Sequence, residues 1–281
     1  MSAVPAAASV GDALGAAIDA VAAAGAESPR LDAELLLAEA TGIPREVIAT
    51  DPGRPLPPGT ARVFAELVRR RVRREPVAYI LGRKGFRRIE VAVDRRALIP
   101  RPATELLVEV ALELAPRTVL DLGTGSGAVA LAIADELPEA RVTATDRSSA
   151  ALELARENVD ALGLAERVRV EPGSFPSGER FELVVANLPY VREAEWAELE
   201  PEIREFEPHE ALVAGPTGLE AIEGVLRGLH PGASRSAFAA IALEVGAGQA
   251  GAVEATMRAI GLGDVERRRD LAGIERVVLG R

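Results

Sequence analysis

The chain has 281 residues, of which 48% are hydrophobic and 27% charged, a composition typical of a folded protein rather than a disordered one. The net charge of −10 argues against nonspecific nucleic-acid binding, and the absence of cysteine excludes disulfides and thiolate chemistry. The two histidines, His209 and His230, lie too far apart in the sequence for a paired histidine site, and we expect no bound metal.

The N-terminal segment lacks a basic leader, and Asp12 interrupts its apolar run. We therefore expect neither a signal peptide nor a membrane span, and a cytoplasmic protein. Two stretches, SVGDALGAAIDAVAAAG and SPRLDAELLLAEATG, repeat apolar residues at helical spacing and stop at Gly25 and Gly42. Together with a helix in TARVFAELVRRRVRRE, they predict a small helical domain over residues 1–82.

The last predicted helix of this domain ends in five arginines, Arg69, Arg70, Arg71, Arg73 and Arg74. Positive charge in the last turn of a helix interacts favourably with the helix dipole, so a solvated turn is one interpretation. The other interpretation is a patch that binds an acidic partner or RNA. Of the two, we favour the solvated turn.

A change of pattern separates this helical part from the rest of the chain. KGFRRIEVAVD alternates apolar and polar residues and predicts a β-hairpin linker over residues 83–100. Over residues 101–281, strands alternate with helices, and the predicted strands are RTVLDL, RVTATD, RVRVEP, FELVVANLPY and SAFAAIALEVG, with two more in DVERRRDLAGIERVVLG. Such alternation produces βαβ units, which predicts an α/β domain with a parallel, Rossmann-like sheet.

A glycine-rich loop, DLGTGSGAVA, joins the first of these strands to a helix. Gly123 and Gly125 allow a tight turn, and Gly127 allows the backbone to approach a ligand closely. The first N–H groups of the helix would face the carboxyl edge of the sheet, where ligands bind in such folds. Because the spacing also fits the dinucleotide fingerprint, the loop does not separate a nicotinamide cofactor from S-adenosylmethionine.

An acidic residue, Asp146, ends the second strand of the sheet. A carboxylate there can accept hydrogen bonds from both hydroxyls of a ribose in either cofactor class. Its alternative role is the N-cap of the next helix, although Ser148 can also serve there. We favour ribose binding, and the acidic Asp121 at the start of the glycine loop favours S-adenosylmethionine.

The fourth strand ends in four residues that suit a planar amide: Asn187, Leu188, Pro189 and Tyr190. The first and fourth strands are expected to be neighbours, which would bring this tetrad beside the glycine loop. The Asn187 side-chain oxygen and the Leu188 carbonyl can accept the two hydrogens of an –NH2 group, while Tyr190 offers a surface for stacking. Ordinary turn residues would explain an isolated Asn-x-Pro, but the position beside a glycine loop favours methylation of an amino group by orientation and desolvation.

In their order along the chain, these motifs resemble the release factor glutamine methyltransferases, HemK-type enzymes that methylate the Gln side chain in the Gly-Gly-Gln motif of peptide chain release factors. SPRLDAELLLAEATG and REPVAYILGRKGF are similar to the family's helical N-terminal domain, and LIPRPATELLVE to its Arg-Pro-Glu-Thr-Glu segment. VLDLGTGSGAVALA, NLPYV, FEPHEALVAGPTGL and DLAGIERVVLGR follow in the expected order. The resemblance covers nearly the whole chain.

The resemblance implies a class I methyltransferase sheet over residues 101–281, S-adenosylmethionine as cofactor, and a class 1 release factor as partner, bound in part by the helical domain. It implies that Asn187 and Tyr190 are catalytic and that Asn187, Leu188, Pro189 and Tyr190 bind the substrate amide. We expect a monomer, with no membrane partner and no direct nucleic-acid partner. The residues expected at the cofactor are Asp121, Gly123, Thr124, Gly125, Ser126, Gly127, Ala128, Val129, Asp146, Ser174 and Asn187.

The chain departs from the family pattern at three places. Leu188 replaces the first Pro of Asn-Pro-Pro-Tyr, which keeps a backbone carbonyl but loses rigidity in the turn. Ala103 replaces a Glu and removes a carboxylate near the mouth of the expected site. Gly173 and Ser174 stand where the family commonly has Asp and a bulky residue, so adenine contacts are expected to be weakened or replaced.

Three other functions fit part of the pattern. Asn-Leu-Pro-Tyr resembles the rRNA adenine dimethyltransferases, and an adenine N6-methyltransferase acting on rRNA or DNA needs the same two acceptors. The acidic charge, the helical domain and the lack of a basic C-terminal domain count against that function. A nicotinamide-dependent oxidoreductase would use the same glycine loop, but the chain offers no Tyr-x-x-x-Lys pair or catalytic His beside the sheet. A non-catalytic module that has lost its cofactor would explain Ala103, Gly173 and Ser174.

Overall fold

The computed structural model describes residues 9–176, 178–228 and 237–281. Most of the segment on which the signal-peptide prediction depends, and His230, lie outside the described residues. The described residues form two compact units, one of the residues up to Gly82 with Pro201–Phe206, the other of Arg83–Glu200 with Glu207–Arg281. Within these residues, no helix combines the length and apolar character needed to cross a membrane.

The first unit contains five helices before Gly82: α1 Val10–Ala23, α2 Pro29–Thr41, α3 Arg45–Thr50, α4 Thr60–Val72 and α5 Val77–Leu81. The helices predicted from the apolar spacing are confirmed as α1, α2 and α4. The predicted stop at Gly42 is also confirmed, because this residue caps α2 with a φ of 68°. Residues of α1 and α2 such as Val10, Leu36 and Leu37 are fully buried in the core of this unit.

Three of the five arginines at the end of α4 bond to other parts of the first unit, and the first of them, Arg70, pairs with Glu75 and donates to the backbone oxygen of Ile80. Arg71 is only 5% exposed and donates hydrogen bonds to Asp32 on α2 and to Glu202, at 2.6 and 2.7 Å. Arg74 also pairs with Glu202. The interpretation as a solvated turn is therefore wrong for Arg71, because α2 and residues 201–206 cover this part of the helix. Arg69 and Arg73 are exposed.

The second unit begins with a hairpin in which β1 Arg83–Phe86 pairs antiparallel with β2 Ile89–Ala92, as the alternating pattern predicted. Along the chain there follow α6 Glu105–Leu114, β3 Thr118–Leu122, α7 Ala128–Glu136, β4 Arg141–Asp146, α8 Ser149–Ala161, β5 Val168–Pro172, β6 Arg180–Ala186, β7 Val191–Arg192, α9 Pro201–Phe206, β8 Val213–Gly215, α10 Glu220–Gly228, β9 Ala237–Glu244, α11 Ala250–Ala259, β10 Val265–Arg269 and β11 Glu275–Gly280. Of these, α9 groups with the first unit, although the predicted boundaries assign it to residues 101–281.

Seven strands form the central sheet in the order β10-β11-β9-β6-β3-β4-β5. The five strands β9, β6, β3, β4 and β5 are parallel, while β11 pairs antiparallel with both β9 and β10. This sheet confirms the predicted α/β, Rossmann-like fold and the expected pairing of the first and fourth strands, β3 and β6. Because the chain runs outward from β3 to β5 and then returns to the other side of β3, the topological switch point lies between β3 and β6.

The strands at the switch point are buried on both faces. Leu120 in β3 and Val184 in β6 are fully buried, as expected for parallel strands covered by helices. The charged residue of β3, Asp121, is nevertheless only 2% exposed. A buried carboxylate in the middle of a core strand needs partners, and these lead to the candidate site.

Candidate functional site

The glycine loop after β3 and the tetrad Asn187–Tyr190 after β6 meet at the carboxyl edge of the sheet. A methyl group built on Gly123 would lie 3.1 Å from Cδ2 of Leu188 and 3.8 Å from the backbone oxygen of Asn187. The expectation that the tetrad lies beside the loop is therefore confirmed, at the position where open α/β sheets bind their ligands.

The glycine loop has the backbone conformation that its residues require. Gly123 and Gly125 have φ values of 71° and 57°, which non-glycine residues rarely adopt, so the predicted tight turn is confirmed. At Gly127, φ is 84° and an added Cβ would lie 3.2 Å from Leu131 and 3.4 Å from Ala155. The sequence suggested that this glycine allows a ligand to approach. The structure instead explains it by the packing of the loop against α7 and α8.

Asp121 holds the loop together from within the sheet. Its Oδ2 accepts hydrogen bonds from the Thr124 hydroxyl at 2.6 Å and from the N–H of Ala130 at 3.2 Å. Burial raises the pKa of the Asp121 carboxyl to about 6, and the two hydrogen bonds offset part of that effect. Its geometry suits a residue that orders the loop and the start of α7.

Asp146 ties the glycine loop to the end of β4. Its Oδ2 accepts from the N–H of Gly125 and its Oδ1 from the N–H of Ser148, both at 2.9 Å. Ser148 itself caps α8, since its hydroxyl accepts from the N–H of Ala151. The helix therefore does not need Asp146 as its N-cap, and each carboxylate oxygen keeps lone pairs for the hydroxyls of a ribose.

Ser174 lies on the same edge, just beyond β5. The preceding residue, Gly173, donates its N–H to the backbone oxygen of Asp146 at 2.8 Å and has a φ of 110°. Ser174 is exposed. It presents a short hydroxyl side chain next to the end of β4, where the family pattern would give a bulkier residue.

The Asn187 side chain is oriented by a residue that the sequence analysis did not single out. Its Nδ2 donates to the hydroxyl of Thr104 at 3.1 Å. Thr104 is 4% exposed and ends the short 3₁₀ helix Pro102–Thr104, within the RPATE motif. With Nδ2 engaged in this way, Oδ1 of Asn187 remains as the acceptor for a substrate hydrogen.

Tyr190 is fixed through both its backbone and its ring. Its N–H donates to the backbone oxygen of Leu212 at 3.1 Å, and its backbone oxygen accepts from Nε2 of Gln249 at 2.9 Å. Its hydroxyl makes a long contact of 3.5 Å to Oε1 of Glu244. Burial, reinforced by the negative charge of Glu244, raises the pKa of the Tyr190 phenol, so the ring stays neutral at physiological pH.

Glu244 is a second buried carboxylate at this edge and was not predicted as a site residue. It ends β9, is 1% exposed, and has a pKa raised by burial to about 7. Interactions with Thr104, Arg276, Tyr190 and Arg101 offset part of this rise. The sequence feature that could have identified it is a charged residue at the end of the apolar run AFAAIALE.

The described residues contain no group of three His, Cys, Asp or Glu side chains placed to bind a metal ion. What they do offer at the switch point is a ribose-type acceptor, a helix N-terminus, paired amide acceptors and an aromatic ring. This set suits a nucleoside-containing cofactor beside a planar amide substrate.

Two families match the chain in succession. Residues 12–82 match the PrmC N-terminal domain, and residues 101–201 match the methyltransferase small domain. A release factor glutamine methyltransferase of Caulobacter vibrioides is 41% identical over 276 residues, which cover 94% of this chain and 93% of that protein. The enzyme of the same name from Cereibacter sphaeroides is also 41% identical, with 96% of this chain and 97% of that protein covered.

Solved structures share a fold with 68% of this chain at low sequence identity. The human METTL16 catalytic domain in complex with a MAT2A 3′UTR hairpin has a TM-score of 0.54 and 14% identity, with 68% of this chain and 74% of that chain covered. The N-terminal domain of human METTL16 in complex with SAH has a TM-score of 0.50 and 14% identity, with the same coverage. At this identity the likeness concerns the fold alone.

Proposed function

The chain belongs to the release factor glutamine methyltransferase family, and from this we propose that it transfers a methyl group from S-adenosylmethionine to the Gln side-chain nitrogen in the Gly-Gly-Gln motif of a peptide chain release factor. One observation carries the proposal: the tetrad with its free amide acceptors lies against the glycine loop at the switch point of the sheet. Relatives of that name match at 41% identity over almost the entire chain.

The cofactor is proposed to lie over the glycine loop, with its ribose on Asp146. Two features of the structure fit it: the loop approaches Leu188 closely, and Asp146 keeps acceptor capacity after binding Gly125 and Ser148. S-adenosylmethionine supplies an electrophilic methyl group on a sulfonium sulfur. Residues 123–129, Asp146, Ser174 and Asn187 are proposed to surround it, while Asp121 orders the loop beneath it.

The substrate amide is proposed to be held by the tetrad. An amide nitrogen is a poor nucleophile, because its lone pair is delocalised into the carbonyl group. Oδ1 of Asn187 and the carbonyl of Leu188 accept its two hydrogens and fix the direction of the nitrogen, while the ring of Tyr190 packs against the amide plane. Leu188 keeps the carbonyl that this scheme needs. Transfer would break the sulfur–methyl bond of the cofactor and leave a neutral thioether, and the nitrogen would lose one proton to solvent. Orientation and desolvation would lower the barrier without a strong general base.

The release factor is proposed to be the macromolecular partner, with the helical unit contributing to its binding and the cytoplasm as the place of action. Arg69 and Arg73 are exposed at the end of α4 and are the arginines of the cluster best suited to such a contact. The adenine N6-methyltransferase alternative is less well supported, because the relatives with high coverage carry the glutamine methyltransferase name.

The function is tested by incubating the protein with S-adenosylmethionine carrying a labelled methyl group and either a release factor or rRNA. We expect label in the release factor, and mass spectrometry of its peptides should locate one methyl group on the Gln of the Gly-Gly-Gln motif. Label in rRNA alone would refute the proposal. A release factor whose Gln is replaced serves as the matched control and should remain unlabelled.

The role of the tetrad is tested by Asn187→Ala. This change removes an acceptor that is needed when the amide nitrogen reacts, so we expect kcat to fall by about a hundredfold or more. Cofactor affinity, measured by calorimetry, should remain close to that of the unmodified protein. An active Asn187→Ala enzyme would exclude the proposed role of this side chain.

A further inference from the structure

A buried carboxylate beside the tetrad has no part in the scheme above. Glu244 ends β9 next to β6, where Leu243 pairs with Ala186, the residue before Asn187. It is 1% exposed, and its Oε2 has no hydrogen-bond partner among the described residues. Burying a carboxylate in this way is costly, so its presence in the core calls for a reason beyond packing.

The side chain of Asn187 has two possible orientations that differ in chemistry. With Nδ2 towards Thr104, as observed at 3.1 Å, Oδ1 is free to accept a substrate hydrogen. With the amide flipped, Oδ1 would accept from the Thr104 hydroxyl, and an –NH2 group would face the substrate –NH2. The flipped form would lose the acceptor and repel the substrate amide.

The hydroxyl of Thr104 decides between these orientations because it carries a single hydrogen. If that hydrogen is donated to Glu244, Thr104 can only accept from Asn187, and Nδ2 must face it. The Thr104 hydroxyl does interact with the Glu244 carboxyl and lowers its pKa. A carboxylate is an acceptor only, so it favours this direction of the hydroxyl hydrogen.

We propose that Glu244 is a positioning residue for methyl transfer: through the hydroxyl of Thr104 it holds the Asn187 amide with Oδ1 towards the substrate. This inference rests on the proposed function of the tetrad. Glu244 does not touch the reacting atoms, and its effect passes through Thr104.

The groups around Glu244 offset part of the effect of burial on its pKa, so its carboxyl can be ionised near neutral pH, as this role requires. It is approached by the Tyr190 hydroxyl from the tetrad, by Arg276 from β11 and by Arg101 from the segment before α6. The two arginines are themselves paired, Arg276 with Asp270 and Arg101 with Glu207. When Glu244 takes up a proton it becomes a donor, and the fixed direction of the Thr104 hydroxyl is lost.

The first test is a double-mutant cycle with Thr104→Val and Glu244→Met. Each change breaks the same link, so each should lower kcat by about tenfold to a hundredfold while the KM for the release factor changes little. The double variant should be no slower than the slower single variant, because one link is lost only once. Thr104→Ser, which keeps the hydroxyl, should restore most of the activity. Multiplicative effects in the double variant, or a fully active Thr104→Val, would overturn the proposal.

A matched control separates positioning from stability. Glu136 is a half-buried carboxylate paired with Arg87 at the far end of α7, away from the tetrad, and Glu136→Met should lower stability and leave kcat unchanged. Glu244→Met should lower kcat without lowering the melting temperature at pH 8, because it removes a buried charge. If the melting temperature of Glu244→Met falls enough to explain its lost activity, Glu244 has only a structural role and the proposal is wrong.

A second readout does not depend on activity. The chain contains only two asparagines, Asn158 and Asn187, so its asparagine side-chain amides give two pairs of NMR signals. The Asn187 pair should shift with pH near 7 in the unmodified protein, and the shift should disappear in Glu244→Gln and in Thr104→Val. The Asn158 pair, bound to backbone oxygens of Ala92 and Ser126, should not respond. Absence of the Asn187 shift would overturn the link, whereas absence of methyl transfer by the unmodified protein would overturn the proposed function instead.

Discussion

The buried Asp121 carboxyl orders the glycine loop through its hydrogen bonds, but its burial lowers the free energy of unfolding when the carboxyl is ionised. Its pKa is raised by burial from an ordinary 3.8 to about 6. Between these values the folded protein binds more protons than the unfolded chain, so its free energy of unfolding falls as pH rises. Two pKa units correspond to about 3 kcal/mol, an appreciable part of the stability of a typical protein.

Asp121→Asn should remove this dependence while keeping an acceptor for Thr124. Relative to the unmodified protein, we expect the free energy of unfolding of the variant to rise by up to about 3 kcal/mol between pH 4 and pH 7. Denaturant titrations at several pH values measure the difference. Asp19→Asn, at an exposed position of α1, controls for the loss of a surface carboxylate. If the difference in free energy of unfolding between variant and unmodified protein does not change with pH, the pH dependence does not come from Asp121.

Asp146 offers a direct measurement of cofactor binding. Asp146→Ala removes both the proposed ribose acceptor and the hydrogen bond to the N–H of Gly125. We expect affinity for S-adenosylmethionine to fall by about tenfold to a hundredfold in calorimetry, as for the loss of one or two charge-assisted hydrogen bonds. Asp160→Ala, an exposed position on the same helix that Ser148 caps, should bind normally. Equal affinities in the two variants would exclude the ribose role.

The regular elements of the second unit were predictable because their sequence pattern is strong. Apolar runs of strand length alternate with helical stretches, and the glycine loop and tetrad sit at strand ends, so the sheet and the meeting of Gly123 with Leu188 followed from the sequence. No helix or strand was predicted between residues 191 and 228, where β7 and β8 have only two and three residues and carry no periodic pattern. These short strands are held by contacts that only the folded chain brings together.

Glu244 and Thr104 illustrate a second limit of sequence reasoning. Each belongs to a motif or predicted strand that was identified, yet neither was assigned a role. Their importance depends on a contact between residues 83 positions apart, Thr104 and Asn187. A pattern of residue types does not specify which side chain lies behind the Asn187 amide.

The loop between β8 and α10 supports the tetrad from one side, and Gly218 is its tightest point. Its φ is 78°, and an added Cβ would lie 2.6 Å from the backbone oxygen of Tyr190 and 2.8 Å from Nε2 of Gln249. Gly163, with a φ of 67°, has no atom within 4 Å of its added Cβ. The two glycines therefore differ in crowding at similar backbone conformation.

Gly218→Ala should be much more harmful than Gly163→Ala. Both should lose about 1–2 kcal/mol because alanine is strained at positive φ, but only Gly218→Ala adds a clash with backbone. The clash must displace Tyr190 or break its hydrogen bond with Gln249, so kcat should also fall. Thermal unfolding and methyl-transfer assays measure both effects. Full activity in Gly218→Ala would show that the position of the Tyr190 backbone is not important for the reaction.

At the scale of the whole chain, the two compact units do not correspond to two continuous segments. The helix α9 lies far along the chain, yet Glu202 on it pairs with Arg71, 131 positions away. Arg71 is buried and is held by Asp32 and Glu202 together. The first unit is therefore completed only when the chain has reached residue 206, which the arginine pattern of α4 alone could not reveal.

Glu202→Ala tests this dependence. Removing one partner of a buried arginine costs about 3 kcal/mol when the charge remains without compensation, and Arg74 loses the same partner. We expect faster amide hydrogen exchange in α2 and α4, while the central sheet of the second unit keeps its protection. Glu205→Ala, at an exposed position of the same short helix, should exchange like the unmodified protein. Equal loss of protection in both variants, or a loss confined to the sheet, would show that Glu202 does not stabilise the helical unit.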